Sequence, residues 1–191
     1  METTLFNLLD GEEYLPIERE KLKFGIQIIL TEFYKLLFIY LIAFLLNCIV
    51  PTLIIHLIFF LLRQVCLGYH FKNLYVCLIW SAMVFPVVAH YLTNLNIKLQ
   101  VAYLYTGISI FILFIYMLAP KGTKNQPIIN RKHRNYLRKK MTIRLLLIVV
   151  IFCFSPLKIK VFIIYGVFLE TIMLIVQTLK GRLFNEQEKN F

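Results

Sequence analysis

Charge is scarce in this sequence. Asp, Glu, Lys and Arg make up 16% of its 191 residues, against 60% hydrophobic residues. A soluble domain of that size needs more polar surface to enclose its core. Acidic side chains are the scarcest, 10 against 21 Lys and Arg, which leaves a net charge of +11. Alternating apolar and polar positions are also missing: runs such as Ile26–Leu30, Leu36–Leu46 and Leu145–Phe154 do not alternate. That excludes a membrane β-barrel, whose strands place every second residue in the lumen. Paired cysteines are absent as well. Cys48, Cys66, Cys77 and Cys153 form no CxxC and no zinc-ligand spacing, so no metal and no cofactor are expected. Nothing resembles HExxH, a P-loop or a serine elbow. A cleavable signal peptide is not expected either, because residues 1–20 are acidic and polar ahead of the first apolar run.

What the sequence does have is a series of apolar segments. In lipid, backbone polar groups must pair internally, which favours helices. The expectation is an all-α integral membrane protein with about six membrane-embedded helices, forming one domain over residues 1–191. Residues 1–23 read as an amphipathic interfacial segment, broken in two by Pro16. Spans are expected at about Phe24–Leu46, Ile49–Leu62, Leu74–Leu92 (kinked at Pro86), Leu99–Leu118, Leu145–Phe154 and Val161–Leu179. The second and fifth are short for a bilayer. A basic loop, Lys121 to Arg144, separates spans four and five, and a polar tail follows from Lys180.

Charge placement orients this arrangement. With both termini cytoplasmic, 17 of the 21 Lys and Arg residues lie on the cytoplasmic side, nine of them in the 121–144 loop. Only Lys98, Lys158 and Lys160 fall outside, and Lys35 lies within span one. The positive-inside rule favours this orientation over its reverse. In a soluble protein a charge of +11 would suggest nucleic acid; here it suggests the bilayer and its anionic lipids, and no nucleic-acid partner is expected.

Between spans two and three lies a polar break that gathers Arg63, Gly68, His70, Lys72, Asn73 and Cys77. Charge counting puts it at the cytoplasmic face. A histidine can take a thiol proton, stabilise the thiolate and later protonate a leaving amine. His70 and Cys77 are seven residues apart, which on one unbroken helix separates them by about 10.5 Å along the axis. Proton transfer needs roughly 3 Å. A working dyad therefore requires the chain to bend, with Gly68 and Asn73 as the residues that permit it, and with Cys77 in the first turn of span three. On spacing alone, the plainer reading is favoured: a cytoplasmic turn with a snorkelling Arg63, an interfacial His70 and a buried Cys77. Cys66 is a rival nucleophile, four residues before His70 and adjacent to it if both were helical. Glu32 and Lys35, spaced i,i+3 in span one, read either as a mutually neutralising pair or as a substrate contact. His56 and His90 read as packed histidines and His133 as solvated.

The pattern Arg63-x4-Gly68-x-His70-x6-Cys77 resembles the signature of the accessory gene regulator B family, membrane cysteine endopeptidases of bacterial quorum sensing. A second, looser stretch, Ala119-Pro120-Lys121-Gly122-Thr123-Lys124-Asn125-Gln126-Pro127-Ile128, also resembles that family, and the likeness covers nearly the whole chain. It implies His70 and Cys77 as catalytic residues. Arg63, Gly68, Glu32, Lys121 and Lys124 are then the supporting or substrate-binding residues. It also implies an amphipathic propeptide with an acidic C-terminal tail as substrate, a thioester acyl-enzyme, closure of a thiolactone or lactone ring, and a homodimer in the bacterial cell membrane. The nine cations of the 121–144 loop would either gather the acidic tail or hold anionic lipid. The reading from a different class is a non-catalytic peptide-binding or transport protein.

Overall fold

The structure, a computed structural model, describes residues 16–67, 69, 73–95, 100–122 and 130–189. All regular structure among them is helical. The first helix, α1, runs from Pro16 to Leu45. Pro16 was expected to break an amphipathic segment, but it opens this helix instead. Proline suits a helix start, where its missing N–H has no intrahelical partner to lose.

The turn from α1 into α2 (Ile49–Cys66) follows from one asparagine. Asn47 takes a left-handed φ of 53°. Its N–H bonds Phe44 O at 3.0 Å while Cys48 N–H bonds Ala43 O at 2.9 Å, the two bonds of a Schellman cap. Asparagine tolerates this conformation better than most residues. The α2 helix continues past the expected boundary at Leu62 and reaches Cys66. Its 18 residues cover about 27 Å.

The third segment is divided. Helix α3 (Leu74–Ala82) passes through a π-helical turn, Met83–Val87, into α4 (Val88–Asn94). Pro86 sits inside that turn. Proline cannot donate its helical hydrogen bond and crowds the preceding turn, and a π turn is one accommodation. Carbonyls at the break find side-chain donors: Tyr165 Oη donates to Val84 O at 3.1 Å, and Cys48 Sγ to Pro86 O at 3.4 Å. The expected kink at Pro86 is thus present as a π turn.

Helix α5 (Val101–Leu118) stops before Pro120. Helix α6 (Arg131–Phe154) begins at Asn130, whose Oδ1 accepts from Lys132 N–H at 2.9 Å. This corrects the expected loop over 121–144, because residues from Arg131 onward are helical. Leu137, Met141, Leu145, Ile148 and Phe152 are all buried, at spacings of four, four, three and four. That stripe is a helical seam which the surrounding cations obscure. Helix α7 (Leu157–Lys189) completes the chain.

Helices α2 and α7 form the centre. Both contribute to two buried clusters. In one they meet α5 and α6, through Ile58 and Leu62 against Ile115, Met141, Ile148 and Leu174. In the other they meet α1 and the π turn, through Ile55 against Ile39, Ala43, Phe85 and Leu169. Five segments are long and apolar enough to cross a membrane: 17–45, 49–66, 75–94, 101–118 and 157–180. The expected sixth, Leu145–Phe154, is the apolar end of α6, not a helix of its own.

Gly166 of α7 allows the closest approach to α2. A Cβ there would lie 3.0 Å from Ile55 O and from Ile58 Cβ. Small residues let membrane helices pack backbone to backbone. Gly166→Val is expected to destabilise the fold by about 1–3 kcal/mol through overpacking. Gly107→Ala, where a Cβ meets nothing within 4 Å, should leave stability unchanged or slightly raised. Thermal unfolding of both variants in detergent micelles checks the contrast.

Candidate active site

The polar break is a real interruption of helix. Leu67 ends α2 in a left-handed conformation with φ of 55°. Asn73 starts α3, its Oδ1 accepting from Tyr75 N–H at 2.9 Å. Cys77 N–H bonds Asn73 O at 3.0 Å, which places Cys77 in the first turn of α3 as expected. The residue found in left-handed geometry is Leu67, an unfavourable choice for a leucine and the kind of strain that clusters at functional segments. Gly68 and His70, and likewise Lys124, lie outside the described residues.

Tyr69, the neighbour of His70, is held from three directions. Its N–H donates to Met173 O of α7 at 3.2 Å. Its carbonyl accepts from Arg63 Nη2. Its hydroxyl lies 3.4 Å from Lys180 Nζ, whose ammonium also sits 4.6 Å from the ring centre. The second motif meets the first at the same place. Lys121 N–H bonds Cys66 O at 3.1 Å, and Gln177 Nε2 donates to Gly122 O at 3.2 Å. Lys121 thus joins the site through its backbone.

Arg63 was expected to support the site or bind substrate. Its described contacts are internal: Tyr69 O, the Phe59 ring at 6.0 Å, and Glu170 of α7, with Nη1 3.9 Å from Oε2. Glu170 is 0% exposed. Neither of its carboxylate oxygens, nor Arg63 Nη1, makes a hydrogen bond among the described residues. The pair therefore ties α2, α7 and the turn together by charge. Sequence reasoning missed Glu170, although it is the only charged residue between Val161 and Leu179 and intramembrane charge is itself a functional signal.

Lys35 was also undervalued. Its side chain is buried, and Nζ lies 3.6 Å from Cys77 Sγ and 2.7 Å from Glu32 Oε1. Glu32 is 53% exposed and reaches the site only through Lys35. The contact links residues 42 apart in sequence, so no local pattern could show it. The rival thiol has different surroundings: Cys66 is 0% exposed within the cluster of Ile115, Met141 and Leu145, and α2 ends there. Cys48 is buried against Pro86 O, and Cys153 is exposed on α6, away from the break. The packed histidines are partnered as expected: His56 by Tyr40 Oη at 3.3 Å, His90 by Leu46 O at 2.9 Å. Among the described residues no three His, Cys, Asp or Glu side chains converge on a metal position.

Removing one member of a buried ion pair strands the other. Arg63→Leu and Glu170→Leu are each expected to cost about 3–5 kcal/mol, and the double variant less than the sum of the two. Thermal unfolding as a double-mutant cycle checks this; simple additivity would show the two groups to be uncoupled.

Comparison with known proteins agrees with this geometry. The family model described as accessory gene regulator B matches residues 3–174. The accessory gene regulator protein B of Staphylococcus intermedius is 31% identical over 175 residues, covering 92% of each chain. That of Staphylococcus saprophyticus is 31% identical over 144 residues, 75% of this chain and 72% of the relative. That of Staphylococcus aureus strain JH9 is 30% identical over 171 residues, 88% and 86% respectively. No solved structure matches. A family match over most of the chain, a helical bundle built for a membrane and a thiol in the first turn after the polar break lead to one conclusion: the chain belongs to the accessory gene regulator B family.

Proposed function

We propose that this chain is a membrane cysteine endopeptidase that trims a quorum-sensing propeptide and promotes its cyclisation. The observation that carries the reading is the setting of Cys77. It is partly accessible, sits in the first turn of a helix and follows His70 by seven residues in sequence. A helix N-terminus favours an anion, and a thiolate is the nucleophilic form of cysteine.

In this mechanism His70 takes the Cys77 proton. The thiolate attacks a peptide carbonyl of the propeptide. The imidazolium protonates the departing amine, which leaves with the C-terminal tail. The propeptide remains as a thioester on Cys77. An internal cysteine or serine of the substrate then attacks that thioester, forming a thiolactone or lactone and freeing Cys77. Exclusion of water preserves the acyl-enzyme for this second attack, and holding the peptide in place makes ring closure effectively unimolecular.

Charge supports an acidic tail as the leaving segment. Arg131, Lys132, Arg134, Arg138, Lys139 and Lys140 follow one another in the first half of α6, and Lys121 lies beside the C-terminus of α2. Lys124 adds to them in sequence. By the positive-inside rule these cations and the break face the cytoplasm. A homodimer in the bacterial cell membrane, with both termini cytoplasmic, completes the proposed arrangement.

Co-expression with the propeptide tests the reading. Cys77→Ala and His70→Ala should each reduce cleavage to background while the protein stays in the membrane, and Cys66→Ala should cleave normally. Normal processing by Cys77→Ala sinks the assignment. Cargo flux that survives both substitutions would point to a transporter instead. Neutralising the propeptide's acidic tail should raise KM with little change in kcat, and the difference should shrink as salt is added.

A further inference from the structure

The described contacts of Cys77 include a cation that the dyad does not use. Lys35 comes from α1, far from the break in sequence. Its position is fixed by packing: Lys35, Ile39 and Ala43 are all buried and fall at i, i+4 and i+8, one continuous stripe of α1. Ile39 and Ala43 pack against Phe85 and Ala89 of the third segment. Lys35 therefore meets that same segment one turn nearer the break, where Cys77 stands, with Nζ at 3.6 Å from Sγ. Glu32, 2.7 Å from Nζ, pairs with the ammonium and limits its rotation.

Resting on the reading of Cys77 as nucleophile, we infer that Lys35 is a further catalytic residue, an ammonium that stabilises the Cys77 thiolate each time it forms. It forms twice. On the way in, the thiol proton goes to His70, negative charge appears on Sγ, and the Lys35 N–H donates to it. On the way out, the substrate thiol gives its proton to His70, its sulfur bonds the acyl carbon, and the C–S bond to Cys77 breaks with the electron pair returning to Sγ. Lys35 stays protonated throughout. It is therefore not the base, and it leaves the proton-shuttling role to His70. A charge-assisted donor in a site shielded from water is worth more than the same donor in solvent.

Other charges face this thiol. Arg63 lies within electrostatic range of Cys77, but it is opposed by the adjacent Glu170 carboxylate. Glu32 also faces Lys35, 2.7 Å from Nζ, and it is half in solvent. Lys35 is the cation with a direct donor contact to the sulfur among the described residues.

The test is alkylation of Cys77 by a small neutral reagent in detergent-solubilised full-length protein, followed at Cys77 by peptide mass spectrometry. At pH 7, Lys35→Met should react at least about tenfold more slowly than the wild type, the direction set by losing an opposite charge within contact distance. Lys35→Arg should recover to within about threefold. At high pH, where any accessible thiol is ionised, the Lys35→Met and wild-type rates should converge, which a mere change of access or packing would not produce. If Lys35→Met does not accumulate folded, Lys35→Gln carries the same comparison. Equal rates at pH 7 in wild type and a folded neutral variant would overturn the inference, as would a deficit that persists unchanged at high pH. Labelling needs no substrate, so a flat result defeats the role of Lys35 alone. Undiminished processing by Cys77→Ala defeats the peptidase reading instead, while leaving the labelling contrast in place.

Discussion

A carboxylate with no exposure to solvent sits at the middle of α7, and the organisation of the break depends on it. Glu170 faces Arg63 across the α2–α7 contact. The carboxylate is shut off from solvent, so it depends on the guanidinium opposite it. That requirement fixes the end of α2 against α7. The same guanidinium then binds the carbonyl of Tyr69, so the constraint passes from the core into the turn. The Gly166 contact, one helical turn away on α7, lets the backbones come close enough for the pair to meet.

The described residue of the turn, Tyr69, is thus held by the bundle around it. Tyr69 is bound by Met173 O, Arg63 and Lys180, and the segment after α5 is bound by Cys66 O and Gln177. A polar segment at a membrane surface needs such outside anchors, because a short loop has little buried area of its own. On the other side, the nucleophile candidate is presented by α3, whose position α1 and the π turn determine. Two separate portions of the bundle therefore converge on one short stretch of chain.

Much of this was legible in the sequence. The spans announced themselves as apolar runs. The break between them was visible as a cluster of polar residues. The seven-residue spacing of His70 and Cys77 requires a bend if the two are to work together, since a continuous helix keeps them too far apart. The first-turn position of Cys77 was read from the same argument; the capping role of Asn73 was not. What escaped had physical reasons. The first part of the α6 seam, Leu137 and Met141, was hidden because Arg138, Lys139, Lys140 and Arg144 surround it in sequence. Lys35 looked like half of a local ion pair because its second contact lies 42 residues away. The carboxylate that partners Arg63 was overlooked because it belongs to the last helix. Each miss concerns a long-range contact or a face, which linear pattern alone does not encode.

The π turn at Met83–Val87 has a consequence for angular phase. In a regular helix each residue advances by about 100°, so the twelve steps from Cys77 to Ala89 would leave them about 120° apart. A π turn absorbs one extra residue, which reduces the effective count to eleven steps and the difference to about 20°. The two residues consequently look in nearly the same direction, toward the single stripe of α1 that carries Lys35, Ile39 and Ala43. Ala89 is 0% exposed on that stripe, and Cys77 meets its lysine. An uninterrupted helix could have satisfied one of these alignments but not both. Pro86 acts as a phase shifter: it lets one face of the third segment be apolar in the core and carry Cys77 toward Lys35 at its end.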